Sequence, residues 1–319
     1  MNYRQFADTN LKVSEICLGP MRFSAKSPSD DEKSQAGKRA LERALERGVN
    51  FIHSSYEYGT RWAVGEVLKN HSRRGELHHI IKVPVPDFDD NSKFDATKFR
   101  LHIEEALRDL HTDCIDVLQH LQRARLNSNE LRIPNIPAVE EPMLEIFEKL
   151  KEEGKVGYLT TFPYSQEFAR EAIKTKAFKG MVAYYNSIEM DMAEFFPLME
   201  QQNQGFFCIR PFMSGLLTDK RVDRNKLEKD DRFNDPLWEA AYNRLALLNA
   251  QLGSEINSWT DFAIKFGLCH PIVTSLIVGL NTEEQVDGVL DAADGNYPDL
   301  NTFNKVLTIC RENGLVKSN

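Results

Sequence analysis

The chain has 319 residues, 41% of them hydrophobic and 28% charged, with a formal net charge of −8. That is enough apolar material for a sizeable core, and α/β barrels of this length form one domain, so residues 1–319 are read as a single barrel domain. The acidic balance argues against a nucleic-acid partner, because such binders present basic patches and the basic runs here, Arg73-Arg74 and Lys220-Arg221, are short.

In chain order, Tyr3-Arg4-Gln5-Phe6 and Leu11-Lys12-Val13-Ser14 read as a β-hairpin capping the bottom of a barrel. Short apolar strands follow at 16–19, 49–52, 79–83, 114–120, 156–161, 181–185, 206–209 and 275–278. Helical patterns lie between them at 31–46, 96–110, 139–153 and 165–174, with further helical residues at 236–265 and 298–313. Strands alternating with helices mark a parallel sheet with crossover helices, and eight strands are the number that closes a (β/α)8 TIM barrel. Gly48, Gly154 and Gly180 follow helical stretches, where glycine enters the left-handed conformation cheaply. Two connections are too long for turns, 122–138 after the fourth strand and 211–235 after the seventh; both are expected at the C-terminal rim, where barrels build their pockets.

Cys17, Cys114, Cys208, Cys269 and Cys310 are odd in number and lack metal or disulfide spacing, which suits a reducing compartment. No apolar signal region opens the chain and no apolar run reaches the roughly 18 residues of a membrane span, so a cytoplasmic protein without a membrane partner is expected.

The candidate chemistry centres on Gly48-Val49-Asn50-Phe51-Ile52-His53-Ser54-Ser55-Tyr56-Glu57-Tyr58-Gly59. It reads as a strand at 49–52 running into a polar turn that presents His53, Tyr56 and Tyr58 together. Lys82, closing the strand His79-Ile80-Ile81-Lys82-Val83, is expected in the same pocket, since barrel sites sit at strand ends. Arg22 and Arg210 are expected at the same rim, either holding an anionic substrate or paired with rim carboxylates. His53, His78, His79 and His120 come from three strands, but adjacent His78 and His79 point to opposite faces and no carboxylate cluster accompanies them, so no metal is expected.

The motifs resemble those of the aldo-keto reductases, in order along nearly the whole chain. Tyr58-Gly59 is similar to the family's catalytic Tyr-Gly, and Leu11-Lys12-Val13-Ser14-Glu15-Ile16 to its opening. Gly154-Lys155-Val156-Gly157-Tyr158 resembles its lead into strand five, and Tyr185-Asn186 its Tyr-Asn after strand six. Gly215-Leu216-Leu217-Thr218-Asp219-Lys220 is close to its Gly-Leu-Leu-Thr-Gly-Lys loop, and Val278-Gly279 with Gln285 looks like its segment after strand eight. The resemblance implies hydride transfer from NADP or NAD to a small carbonyl substrate. In that chemistry a tyrosine gives the proton, a lysine lowers its pKa, an aspartate holds the lysine and a histidine orients the carbonyl. Tyr58 and Lys82 take the first two roles; Gly215, Leu217, Thr218, Lys220, Gly279, Asn281 and Gln285 are the implied cofactor residues, and Arg22, Tyr56 and Arg210 face the substrate.

Several positions depart from the pattern. His53 stands where the family has aspartate, removing the negative charge expected beside Lys82. A neutral imidazole can accept a hydrogen bond from the ammonium, whereas a protonated one repels it. The family's strand-four histidine falls on Leu121, and His120 lies one residue earlier, turned away unless a bulge re-aims it. Phe162-Pro163 replaces Ser-Asn, Val182 a glutamine, Ile209 the aromatic that stacks on the nicotinamide, and Gly288-Val289 a Glu-Asn pair. Glu283 and Glu284 stand where a 2′-phosphate would need cations. The chain therefore reads as a divergent member with an atypical tetrad, its catalytic candidates being Tyr58, Lys82, His53 and His120. Nicotinamide-dependent carbonyl reduction is set against non-redox acid–base chemistry in the same pocket, and against a binding or scaffold barrel without catalysis.

Overall fold

The computed structural model describes residues 1–84, 94–121 and 129–316, apart from the side chains of Pro84 and of residues 129–140. The chain opens with an antiparallel hairpin, β1 (Tyr3–Gln5) and β2 (Lys12–Ser14), in the register Tyr3↔Ser14. Eight parallel strands then close into a barrel in chain order: β3 (Ile16–Leu18), β4 (Phe51–Ser55), β5 (His78–Pro84), β6 (Ile115–Leu121), β7 (Val156–Thr161), β8 (Gly180–Tyr184), β9 (Gly205–Ile209) and β10 (Val273–Val278). Closure comes from β10, which pairs with both β9 and β3. Crossover helices include α1 (Glu32–Glu46), α2 (Arg61–Leu68), α3 (Ala96–Leu110), α4 (Asn129–Glu152), α5 (Gln166–Thr175) and α6 (Phe196–Gln201). After β9 come α7 (Glu239–Leu252) and α8 (Trp259–Gly267), and after β10 come α9 (Glu283–Ala292) and α10 (Leu300–Glu312). This is the (β/α)8 TIM barrel with its hairpin cap.

Two elements start elsewhere than expected. The second barrel strand spans Phe51–Ser55, not 49–52, so His53 lies within the strand and not in the turn. The cause is the exit from α1: Gly48 (φ +95) donates to Leu45 O at 3.0 Å and Val49 to Ala44 O at 2.9 Å, so Val49 caps the helix instead of starting the strand. The helix expected from residue 139 begins at Asn129, so the later part of the 122–138 connection is helical; residues 122–128 lie outside the described residues. Pro134, Pro137 and Pro142, each without a backbone N–H, hid that helix from a propensity reading. Gly180 begins β8 and is not among the left-handed glycines, whereas Gly48 and Gly154 are. The 211–235 connection is a chain of short 3-10 turns at Met213–Gly215, Arg224–Lys226 and Arg232–Asn234.

Alternation along the strands sorts the core into two parts. Cys17, Phe51, Ile80, Val117, Val182, Phe207 and Ile277 fill the barrel. Leu18, Ile52, Ile81 and Leu118, each the next residue along, pack against the helices. The hairpin plugs the bottom with Phe6, fully buried and stacked on Phe207 at 4.6 Å. Gly205 makes room for it: a Cβ there would come within 2.5 Å of the Phe6 ring.

Removing that plug leaves a cavity under the barrel core. Phe6→Ala is expected to destabilise the fold by about 3–5 kcal/mol, read as a lower urea midpoint with an unchanged denaturant slope.

Candidate active site

The alternation that builds the core also decides what reaches the mouth. Phe51 faces into the barrel and Ile52 outward, so His53 and Ser55 face in; by the same count Lys82 follows Ile80 inward, and Gln119 and Leu121 follow Val117. The turn leaving β4 is fastened to the top of β5, with Tyr56 N donating to Lys82 O at 3.2 Å and Tyr58 N to Ser55 O at 3.0 Å. Gly59 lets the loop after β3 press on this turn, since a Cβ there would meet Lys26 O at 2.5 Å. Trp62, in the first turn of α2, donates from Nε1 to Ala25 O at 3.0 Å and holds the same loop.

Three of the four catalytic candidates converge. The Lys82 ammonium stands over the Tyr58 ring, 5.1 Å from its centroid, a favourable cation–π placement. The His53 ring is 5.8 Å from the Tyr58 ring. His53 Nε2 lies 3.2 Å from Gln119 Oε1, a carbonyl oxygen that accepts the ring N–H. Burial, reinforced by the neighbouring Lys82 charge, lowers His53 from 6.5 to about 3, outweighing the Gln119 bond. The imidazole at position 53 is therefore neutral and does not repel the lysine.

The expectation that Lys82 lacks a negative partner is corrected. Glu57 Oε2 lies 3.3 Å from Lys82 Nζ, with side chains 25% and 14% exposed respectively. Tyr56 packs its ring on His102 at 4.9 Å and donates its hydroxyl to Glu57 Oε1 at 3.2 Å.

The fourth candidate, His120, is not in the site. β6 pairs with β5 in unbroken register from Ile80↔Val117 to Pro84↔Leu121, so no bulge re-aims it. Its ring stacks on Phe178 at 5.3 Å, with Nδ1 3.0 Å from Thr161 Oγ1, and burial lowers it to about 3. Leu121 faces the mouth in its place. His78 is bonded to Asp116 at 2.6 Å, and no group of three or more potential metal ligands occurs among the described residues.

Arg210 bonds the rim and is not held free for an anion. Its Nη2 is 3.4 Å from Glu189 Oε1 and its guanidinium lies 4.5 Å from the centroid of Tyr184. Burial raises the Glu189 carboxyl above its usual range despite that arginine. Tyr184 is half exposed and meets Phe162 edge-on at 5.2 Å. Beside it a groove of about 450 Å³ is bordered by Tyr164, Glu167, Tyr184, Glu189 and Arg244. Arg22 is exposed on the loop after β3.

The implied cofactor residues divide. Gly215 has φ +103 in a turn where Arg210, Met213 and Ser214 also hold positive φ, a concentration of unusual backbone of the kind found at ligand-binding loops. Arg221 Nη1 would stand 3.4 Å from a Cβ on Gly215, and Arg232 donates to Ser214 O, so these two arginines charge the turn. Lys220 points to solvent, its side chain 65% exposed and 3.9 Å from Glu228. Leu217 is buried in the core and Thr218 Oγ1 is bonded to Gly215 O at 2.9 Å. Asp219 caps α8, accepting from Trp259 N at 2.7 Å and Ser258 Oγ at 2.8 Å. After β10, a Cβ on Gly279 would meet nothing nearer than Gly19 O at 3.8 Å, and Asn281 Oδ1 is buried without a hydrogen-bond partner. Gln285 Oε1 accepts from Asn281 N at 2.9 Å. The residues present thus fit a dinucleotide at Gly279–Asn281 and beside the Gly215 turn, while the first turn of α9, where a 2′-phosphate would need cations, holds Glu283 and Glu284, with Arg39 3.5 Å from Glu283.

A barrel with this mouth defines the class, and comparison with known proteins names it: residues 15–302 match the aldo/keto reductase family model, and the chain belongs to that family. Among curated relatives it is 26% identical to "Uncharacterized oxidoreductase YrpG" of Bacillus subtilis (strain 168), over 92% of this chain and 91% of that one. It is 21% identical to L-galactose dehydrogenase of Arabidopsis thaliana, over 89% and 85%. Among solved structures, the holo form of aldo-keto reductase AKR11C1 from Bacillus halodurans superposes with a TM-score of 0.73 at 21% identity, over 100% of this chain and 97% of that one. No described helix is long and apolar enough to cross a membrane.

Three residues of the mouth were not singled out from the sequence. Gln119 and Tyr184 follow from alternation once Val117 and Val182 are placed inside the barrel. Glu57 gives only the signal of an acid one residue from Tyr58.

The buried imidazoles make stability depend on pH. His53, His79 and His120 are lowered from 6.5 to about 3, 4 and 3, chiefly by burial. Their contribution is fully present above pH 6.5 and is lost as pH falls from 6.5 toward 4, because the unfolded chain takes up protons that the folded one refuses. Between those limits, each buried imidazole should cost about 1.4 kcal/mol per pH unit. Urea unfolding at pH 7, 6 and 5 checks this, with the slope smaller by one proton in His120→Asn.

Proposed function

We propose that the chain interconverts a small carbonyl compound and its alcohol with a nicotinamide dinucleotide, Tyr58 acting as proton donor and Lys82 as the charge that eases its ionisation. A nicotinamide held at Gly279–Asn281 and beside the Gly215 turn would supply hydride for the carbonyl carbon, and the Tyr58 O–H would give its proton to the carbonyl oxygen, so that the product is an alcohol. The observation that carries this reading is the Lys82 ammonium 5.1 Å from the Tyr58 ring centroid at the C-terminal mouth of an aldo/keto reductase barrel. A cation so placed favours the phenolate over the phenol in the transition state. Gln119, held by His53 through its Oε1, is placed to donate from Nε2 toward a substrate oxygen, since that atom has no partner among the described residues.

Non-redox acid–base chemistry fits less well. Of the two rim cations that would hold an anionic substrate, Arg210 is engaged by Glu189 and Tyr184, and only Arg22 stands exposed. A scaffold reading gives no reason for a half-buried lysine to be held over a tyrosine ring. The first turn of α9 carries two carboxylates, Glu283 and Glu284, against the single guanidinium of Arg39 beside Glu283, and that acidic excess favours the unphosphorylated dinucleotide, because carboxylates accept ribose hydroxyls and repel a 2′-phosphate.

Fluorescence titration with NADH and NADPH tests the reading: both nucleotides should bind, NADH the more tightly, and binding of neither at millimolar concentration would sink it. Given a turned-over aldehyde, Tyr58→Phe and Lys82→Met should each lower kcat by about 10²–10⁴-fold with nucleotide affinity little changed.

A further inference from the structure

We infer that Glu57 is the positioning residue that keeps Lys82 over Tyr58, holding the lysine from the mouth turn where the family's aspartate would hold it from the barrel wall. This rests on the proposed roles of Tyr58 and Lys82. Glu57 is fixed at three points. Its backbone N–H donates to Ser55 Oγ at 3.3 Å, its Oε1 accepts from Tyr56 O–H at 3.2 Å, and its Oε2 lies 3.3 Å from Lys82 Nζ. Two of those anchors, Ser55 and Tyr56, belong to the segment that ties β4 to the top of β5, where Tyr56 N donates to Lys82 O.

An exposed lysine–carboxylate pair contributes little, because water screens it and two flexible side chains must be ordered. Here the lysine side chain is only 14% exposed and the acid is already ordered by its neighbours, which removes much of both penalties. Position 53 supplies no negative charge for the role, since its imidazole is neutral, with Nε2 bonded to Gln119. The titratable groups around Tyr58 include Lys82, Glu57, His53 and Tyr56, with His102 behind Tyr56.

A carboxylate that merely sits near Tyr58 and one that positions Lys82 have opposite signatures. Removing a bystander negative charge eases ionisation of the phenol, whereas releasing the ammonium hinders it. The whole chain, labelled at tyrosine Cζ with carbon-13, can be titrated by NMR, with the Tyr58 resonance assigned by its loss in Tyr58→Phe. No nucleotide and no turnover are needed. In Glu57→Ala the Tyr58 midpoint should rise by about one pH unit; in Glu57→Asp, which keeps the charge, it should stay near the original. Glu57→Ala combined with His53→Asp, which returns the carboxylate to the wall, should bring it back. A midpoint in Glu57→Ala that falls or does not move overturns the assignment, whether or not the double variant folds. If the titration behaves as expected while neither nucleotide binds, the redox reading fails and the positioning role stands; nucleotide binding with no Glu57 effect gives the reverse.

Discussion

Neighbouring residues of a strand face opposite sides of the barrel wall, and the composition of this mouth depends on that constraint. It sends His53, Lys82 and Gln119 inward and His120 outward, with no freedom for a side chain to choose once the strand register is set. The same rule fills the lower barrel with Phe51, Ile80, Val117 and Phe207, so the polar groups stand on an apolar floor sealed by Phe6. That floor is why the imidazole of His53 is neutral: burial, more than any partner, sets its charge state.

A lysine at such a place demands compensation, because burying an ammonium without an opposite charge is expensive. The family's solution places the acid on the neighbouring strand. In this chain the strand position holds an uncharged ring and the acid stands four residues later in a turn, with the pairing distance at 3.3 Å. Electrostatics asks only for a carboxylate within reach of the ammonium and is indifferent to which element brings it there. The departure at His53 is thus a change in who supplies the charge, while Leu121 in the histidine position is a plain loss of a polar group from the mouth.

The barrel was legible in the sequence because it rests on patterns of hydrophobicity that repeat: short apolar runs, amphipathic helices, glycines at helix ends. Errors came where local chemistry overrode the pattern. Val49 looks like the start of a strand but is spent closing α1, and three prolines masked the beginning of α4. At the site, inward and outward positions on strands could be counted, so the exclusion of His120 was foreseeable. Turn residues obey no such count. The sequence states that Glu57 precedes Tyr58, but the direction of its side chain is set by Ser55 Oγ, Tyr56 and the end of β5, which meet only in three dimensions. Likewise Lys220 and Leu217 sit in a recognisable loop, yet its folding sends one to solvent and the other into the core.

The tight seat of Gly59 under Lys26 and the separate location of Glu57 suggest a constraint on the order in which such a mouth can change. Had the wall acid been lost before the turn acid arrived, a lysine whose side chain is only 14% exposed would have lacked the carboxylate now 3.3 Å from it, and removing one partner of a largely buried ion pair is costly. In the opposite order two carboxylates share one ammonium for a time, and the surplus is eased because the Glu57 side chain keeps 25% of its exposure. Position 53 is buried and Gly59 admits no Cβ, so both are held by packing, whereas the Glu57 side chain is held by polar contacts. The accessible path between the two arrangements therefore runs through the redundant intermediate, and only after it is the wall position free to become a histidine.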